Sequence, residues 1–148
     1  MELQRASHHV YRLEYHLVWT PKYRHPVFTE PYRTALKQMI RKAAYDYDMD
    51  VLEIEIPPDH IHALVSLPPR ISVSECMRIL KSISAREFFS RYPDIGIKYF
   101  WGGKLWFPSY YAETIGKRNE GAIRAYILNQ LTHEKQHIAH LKQLKLFP

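Results

Sequence analysis

Over residues 11–19 the apolar side chains alternate, with Tyr11, Leu13, Tyr15, Leu17 and Trp19 on one face and Arg12, Glu14 and His16 on the other. A repeat of two residues marks a half-buried β-strand, whose successive side chains leave opposite faces of the sheet. A basic loop follows at Lys22, Tyr23, Arg24 and His25, bracketed by Pro21 and Pro26. Pro31 is placed to open a helix, since a first helical turn does not need the N–H that proline lacks. Leu36, Ile40, Ala43, Ala44 and Tyr47 recur behind it at helical spacing.

Alternation returns over residues 51–56, with Leu52, Ile54 and Ile56 facing one way. Pro57, Pro58 and Asp59 turn the chain into another alternating run over 60–67, which Pro68 and Pro69 stop. Ser72 and Glu75 have capping-box spacing, and Cys76, Met77, Leu80, Ile83 and Phe88 trace the buried stripe of a second helix. The aromatic stretch 99–111, which holds Gly102 and Gly103, predicts a hairpin or paired strands. After a turn at Gly116, Asn119 is placed to cap a long final helix over about 119–142 carrying Ile123, Ile127 and Leu131. The order strand, helix, strand, strand, helix, strand, helix predicts an α+β, ferredoxin-like sandwich with an antiparallel sheet and helices on one face. No repeat, linker or composition break divides residues 1–148, so a single domain is expected.

Composition narrows the function classes. With 46% hydrophobic and 14% aromatic residues in 148, the chain can build a packed core, which excludes a disordered or low-complexity protein. The formal net charge of +6 favours polyanionic partners, nucleic acid before membrane surfaces. A single cysteine, Cys76, excludes an internal disulfide and a zinc ribbon and suits a reducing compartment. The N-terminus lacks the charged-then-apolar layout of a signal peptide, and no apolar run approaches the ~20 residues that cross a bilayer. A cytoplasmic protein without a membrane partner is the expectation.

Some constellations carry chemistry. His60 and His62 flank Ile61, and on a strand two such side chains share a face with Cα atoms roughly 6.5 Å apart. They can converge on one metal ion, or they can be two surface histidines of an edge strand. His133, Glu134 and His137 fit the zinc-hydrolase pattern, in which two histidines hold the ion and the glutamate acts as base. That stretch is polar throughout and reads equally as a solvated helix end, with His140 a favourable charge near a helix C-terminus. Tyr126 and Gln130, at i and i+4, share one helix face, as ordinary core or interface residues also do. Basic and aromatic residues interleave at Lys22, Tyr23 and Arg24 and around Lys81 and Arg86, which suits phosphate contacts with base stacking or a solvated basic face.

The segments Tyr15-His16-Leu17-Val18-Trp19-Thr20-Pro21-Lys22-Tyr23-Arg24, Pro58-Asp59-His60-Ile61-His62 and Leu80-Lys81-Ser82-Ile83-Ser84-Ala85-Arg86 are followed by Leu105-Trp106-Phe107-Pro108-Ser109-Tyr110-Tyr111 and Tyr126-Ile127-Leu128-Asn129-Gln130. In this order, over nearly the whole chain, they resemble the single-tyrosine HUH transposases of the insertion sequence 200/605 group. The resemblance implies an HUH-endonuclease version of the α+β fold. It implies that His60, His62 and Gln130 hold a divalent ion, Mg²⁺ or Mn²⁺, and that Tyr126 is the nucleophile. Asp59 falls at the family's acidic position before the histidine pair, where it would fix the tautomer and orientation of a metal-binding imidazole.

The implied reaction is cleavage and rejoining of single-stranded DNA through a 5′-phosphotyrosine link, at element ends marked by hairpins. The implied DNA contacts include Lys22, Tyr23, Arg24, Lys81 and Arg86. A homodimer whose final helices carry Tyr126 to the partner's histidine pair is also implied, in a prokaryotic cytoplasm at the nucleoid. Two other readings stay in view: a non-catalytic or repeat-associated hairpin-binding protein of the same fold, and a zinc hydrolase using His133, Glu134 and His137.

Overall fold

A computed structural model describes residues 3–5, 10–116 and 119–129. A two-stranded ribbon, β1 (Gln4–Arg5) and β2 (Val10–Tyr11), precedes the main sheet. That sheet comprises β3 (Glu14–Trp19), β4 (Asp50–Glu55), β5 (Ile61–Ser66) and β6 (Tyr111–Ile115) in the spatial order β4-β5-β3-β6, every neighbouring pair antiparallel. Helix α1 (Tyr32–Asp46) joins β3 to β4, and α2 (Val73–Arg91) and α3 (Pro93–Tyr99) lie between β5 and β6. This is the ferredoxin-like arrangement expected from the element order.

The periodicity of α1 and α2 decides which face they cover. Leu36, Ile40, Ala43 and Ala44 of α1 and Cys76, Met77, Leu80 and Phe88 of α2 are buried against Leu17, Trp19, Ile61, Ala63 and Val65 of the sheet. The Ser72 hydroxyl accepts a hydrogen bond from the Glu75 N–H at 3.1 Å, so the predicted N-cap forms. Burial pushes the Cys76 thiol up to about 12, which leaves it a packed, unreactive side chain.

The opposite face is not open. Helix α4 (Glu120–Leu128) lies across it, with Ile127 buried against Leu64 and Ile115 and with Leu52 and Ile123 around them. Arg124 of α4 reaches Glu53 of β4, Nη1 to Oε1, at 3.4 Å. The two crossover helices thus share one face as expected, while the final helix takes the other. Of that helix only the part up to Leu128 lies within the described residues.

Several local expectations need correction. The stretch 99–111 is not a hairpin: Tyr99 ends α3, only Trp106 pairs in bridge fashion with Pro21, and β6 begins at Tyr111. The Trp106 indole N–H donates to the buried Ser84 hydroxyl of α2 at 3.0 Å, so that side chain is held by helix packing while its backbone makes only the single bridge. Leu52, Ile54 and Ile56 do not share a face. A β-bulge between Val51 and Glu53 sends Val51 and Ile54 into the main core and Leu52 under α4. Asn119 occupies the N-cap position of α4 without capping it; its Oδ1 accepts instead from the Gly116 N–H at 2.9 Å. Thr114 and Ile115 belong to β6, so the glycine-bearing connection to α4 is shorter than the pattern suggested.

Candidate active site

Strand β5 lies inside the sheet, between β4 and β3, which disposes of the edge-strand reading of His60 and His62. His60 closes the Pro57–Pro58–Asp59 turn immediately before the strand, and His62 is its second residue, opposite Val18 of β3. Both imidazoles are fully buried on the face that α4 covers, with ring centroids 5.0 Å apart. Ile61, between them, points into the main core, as the alternation of a strand requires.

Each histidine is held by an outer partner. The Nδ1 atom of His60 lies 2.7 Å from Asp59 Oδ1, and the Arg24 guanidinium donates to the other carboxylate oxygen at 3.0 Å. Burial opposes ionisation of Asp59, but the hydrogen bond and charge of His60, followed by Arg24, outweigh it and keep the carboxyl below its ordinary range. The Nδ1 atom of His62 lies 3.0 Å from His16 Nε2, and His16 Nδ1 lies 3.0 Å from Glu113 Oε1. With Nδ1 engaged on both rings, Nε2 is the nitrogen that each can direct to a cation.

Tyr126 reaches the same place from α4. Its ring stands edge-on to His62 at 5.8 Å and to His16 at 6.2 Å, measured between centroids. His16, Tyr111, Glu113, Ala122, Ile123 and Tyr126 line a cavity of about 360 Å³ beside the histidines. A phenol, two imidazoles and a cavity are therefore assembled from residues 16, 62, 113 and 126, which are distant in sequence.

The family model described as "Transposase IS200 like" matches residues 9–130. The chain belongs to this family. The transposase is 38% identical over 136 residues to ISDra2 transposase TnpA of Deinococcus radiodurans, a match that covers 92% of this chain and 95% of the relative. It is 36% identical over 129 residues to the transposase of insertion sequence element IS200 of Salmonella typhimurium, covering 87% and 84% of the two chains. Among solved structures, a transposase from Deinococcus radiodurans R1 superposes with a TM-score of 0.70 at 35% identity, covering 86% of this chain and 97% of the other. A tyrosine transposase bound to a REP hairpin shares the fold, with a TM-score of 0.59 at 19% identity over 87% of this chain and 74% of the other.

Not every expected site residue gathers here. Gln130, together with His133, Glu134, His137 and His140, lies outside the described residues. Among the described residues no three His, Cys, Asp or Glu side chains form a complete cation site. Lys22 and Tyr23 are in the loop after β3, where the Tyr23 ring stacks on the largely exposed Trp101 at 5.6 Å and 15°. Arg24 is committed to Asp59, and it adopts a left-handed φ of 55° in that turn. Lys81 does not stand free on a basic face: its Nζ donates to the Phe107 and Ser109 carbonyls at 2.8 and 3.1 Å. Desolvation lowers its pKa to about 8. Arg86 lines a cleft with Ala35, Met39 and Lys42 on the helical layer, across the sheet from His62.

Sequence reasoning missed His16 and Glu113 as parts of this site, and Trp101 as an exposed aromatic. Alternation put His16 on the polar face of its strand. Its burial to 1% exposure follows only from α4 and β6 packing around it.

Proposed function

We propose that the transposase cleaves and rejoins single-stranded DNA through Tyr126 with the help of a divalent cation. The observation that carries this reading is the meeting of the Tyr126 phenol with the His60–His62 pair in one buried corner of the sheet. The Tyr126 phenol gives up its proton as its oxygen attacks the scissile phosphorus, the bond from phosphorus to the 3′ oxygen breaks, and the leaving oxygen takes up a proton to become a free 3′-OH, so no net proton is consumed. The product is a 5′-phosphotyrosine link. Because the phosphoester is conserved, a second 3′-OH can reverse the attack and restore a continuous strand without nucleotide hydrolysis.

The donor set suits Mg²⁺ or Mn²⁺: two imidazoles, each with Nδ1 occupied by an outer partner and neutral once Nε2 ligates, joined by the amide oxygen that the family resemblance assigns to Gln130. When bound, such an ion polarises the phosphate and stabilises charge on the departing oxygen. The protein's own contribution is placement. The Asp59 carboxylate orients His60, α4 brings the phenol to the histidines, and the cavity beside Tyr126 and Glu113 leaves room for a nucleotide.

Single-stranded DNA with hairpin ends is the proposed substrate, met at the prokaryotic nucleoid. The +6 charge and the Tyr23–Trp101 stack beside Lys22 support it. Among the described residues no helix is long and apolar enough to cross a membrane. Two copies are proposed to act together and to exchange α4, so that the tyrosine of one serves the histidines of the other. The arrangement described here is then the state in which Tyr126 is docked in its own chain. What supports exchange is the thin anchoring of α4, whose one fully buried side chain among the described residues is Ile127.

The test uses end-labelled single-stranded oligonucleotides from the flanks of the gene, incubated with protein and Mn²⁺ or Mg²⁺ and run on a denaturing protein gel. A metal-dependent labelled adduct that disappears in Tyr126→Phe and His62→Ala, and survives Glu134→Ala, is expected. Hairpin binding without any adduct would assign a binding role only. Cleavage without any covalent adduct, lost in Glu134→Ala and retained in Tyr126→Phe, would favour the hydrolase reading.

A further inference from the structure

His16 is the most deeply buried polar side chain on β3. It sits between two strands, directly opposite Glu113 of β6 and opposite Leu64 of β5, with His62 two residues along from Leu64 on the same face. That diagonal is within reach of long side chains across an antiparallel pair. Three contacts follow in series: Tyr111 Oη donates to Glu113 Oε2 at 3.0 Å, Glu113 Oε1 meets His16 Nδ1 at 3.0 Å, and His16 Nε2 meets His62 Nδ1 at 3.0 Å. The His16 and His62 planes are 19° apart and their centroids 5.3 Å, about the separation of two rings meeting nitrogen to nitrogen in line, so this third contact runs close to the plane of both rings.

The direction of each hydrogen bond can be read from one end. An ionised carboxylate only accepts, so His16 donates through Nδ1–H. A neutral imidazole that donates through Nδ1 presents a lone pair at Nε2, so His62 donates to it through its own Nδ1–H. His62 is then left with its lone pair on Nε2, the tautomer that can ligate a cation. We propose that Glu113 and His16 form a positioning relay that locks His62 in this tautomer and ring orientation, and so sets the affinity of the site for a divalent cation. The inference rests on the metal reading given above. It makes the two histidines formally alike: a carboxylate holds His60 directly through Asp59, and another holds His62 at one remove through His16.

The probe is Mn²⁺ alone, titrated calorimetrically into the full-length protein. Long-range ¹H–¹⁵N correlation on the metal-free protein reports the tautomer of His62, identified by its absence in His62→Gln. Wild type is expected to show the Nδ1–H tautomer. His16→Phe keeps the ring volume without its nitrogens, and is expected to weaken Mn²⁺ binding about 10- to 100-fold. His16→Gln restores an acceptor oxygen near the position of Nε2, and is expected to recover binding to within a few-fold. Glu113→Ala, a change at a partly exposed strand residue, is expected to weaken binding less than His16→Phe and to blur the tautomer signal.

Unchanged Mn²⁺ affinity in both His16→Phe and Glu113→Ala would overturn the relay while leaving the metal reading intact. So would a wild-type His62 protonated on Nε2. If His16→Phe fails to fold, Glu113→Ala decides alone. Absence of Mn²⁺ binding in wild type would overturn the metal reading and the relay with it.

Discussion

Tyr126 stands edge-on to His62 of its own chain, with ring centroids 5.8 Å apart and planes at 84°. The next residue helps to anchor it. Ile127 is wholly buried against Leu64 and Ile115, and its burial seats the first turns of α4 on the sheet. Removing a buried Ile side chain costs about 2–5 kcal/mol in a large core. Here the loss falls on a small cluster under one helix, so α4 should open locally while the main core stays folded. Ile127→Ala is therefore expected to speed hydrogen exchange of amides in Glu120–Leu128, to leave α1 and α2 protected, and to reduce adduct yield. Hydrogen exchange read by mass spectrometry, alongside the adduct assay, checks all three.

Exchange of α4 between two copies has its own signature. His62→Ala and Tyr126→Phe are each expected to be inactive alone. Mixed in equal amounts, they should recover roughly a quarter of wild-type adduct, since about half of randomly paired dimers are mixed and each of those carries one intact site. A mixture as dead as its components would place each tyrosine in its own chain's site throughout the reaction.

Asp59 bridges His60 and Arg24. Truncating it to alanine removes the acceptor that orients His60 and leaves the Arg24 guanidinium beside the site. Mn²⁺ binding to Asp59→Ala is expected to fall about 10- to 100-fold. Arg24→Ala, which leaves the Asp59–His60 contact in place, should cost less. Titration calorimetry on both variants gives the comparison.

The Trp101 ring is 78% exposed and rests on Tyr23, an arrangement with a free π-face. Stacking of an unpaired base there contributes about 1–3 kcal/mol. Trp101→Ala is expected to weaken single-stranded DNA binding by roughly 5- to 150-fold with little change in salt dependence. Lys22→Ala should instead lower the slope of affinity against salt by about one if that charge meets a phosphate. Fluorescence anisotropy at several salt concentrations separates the two.

Lys81 gives a stability prediction with a definite sign. Desolvation lowers its pKa from 10.5 to about 8, so between those pH values the unfolded chain holds the proton that the folded chain has lost. Stability from this group therefore rises with pH across that window, and below pH 8 the cost of burying the charge is constant. Because the side chain is partly solvated, the gain relative to Lys81→Met should be on the order of 1 kcal/mol. Urea unfolding of wild type and Lys81→Met at pH 7.5, 9 and 10 measures it. A flat difference would show that the amine titrates normally.

Strand alternation over 14–19 and 60–67 and the helical stripes of α1 and α2 were legible because those signals are local, whereas the run expected over 11–19 is divided, with Tyr11 paired in the separate β1–β2 ribbon. Each depends only on the geometry of its own element. The same holds for the Ser72 cap and for the facing of Ile61 into the core between two histidines. The irregular stretch after α3 was not legible, because its aromatics are held by distant partners such as Ser84 and not by neighbours in sequence. Nor was the bulge that divides Leu52 from Ile54, which depends on how β4 meets β5.

Residue pattern alone carried the strands ahead of α1 and α2, those two helices, the chemical identity of His60, His62 and Tyr126, and the family that their motifs mark; it did not carry α3 or the β1–β2 ribbon. Only the tertiary structure decided that β5 lies inside the sheet, that α4 closes the second face, and that His16 and Glu113 stand behind His62. The reason is physical. Periodicity says which way a side chain leaves its own backbone, whereas burial and hydrogen-bond partners depend on which elements pack against that face, and these come from segments 46 and 97 residues away.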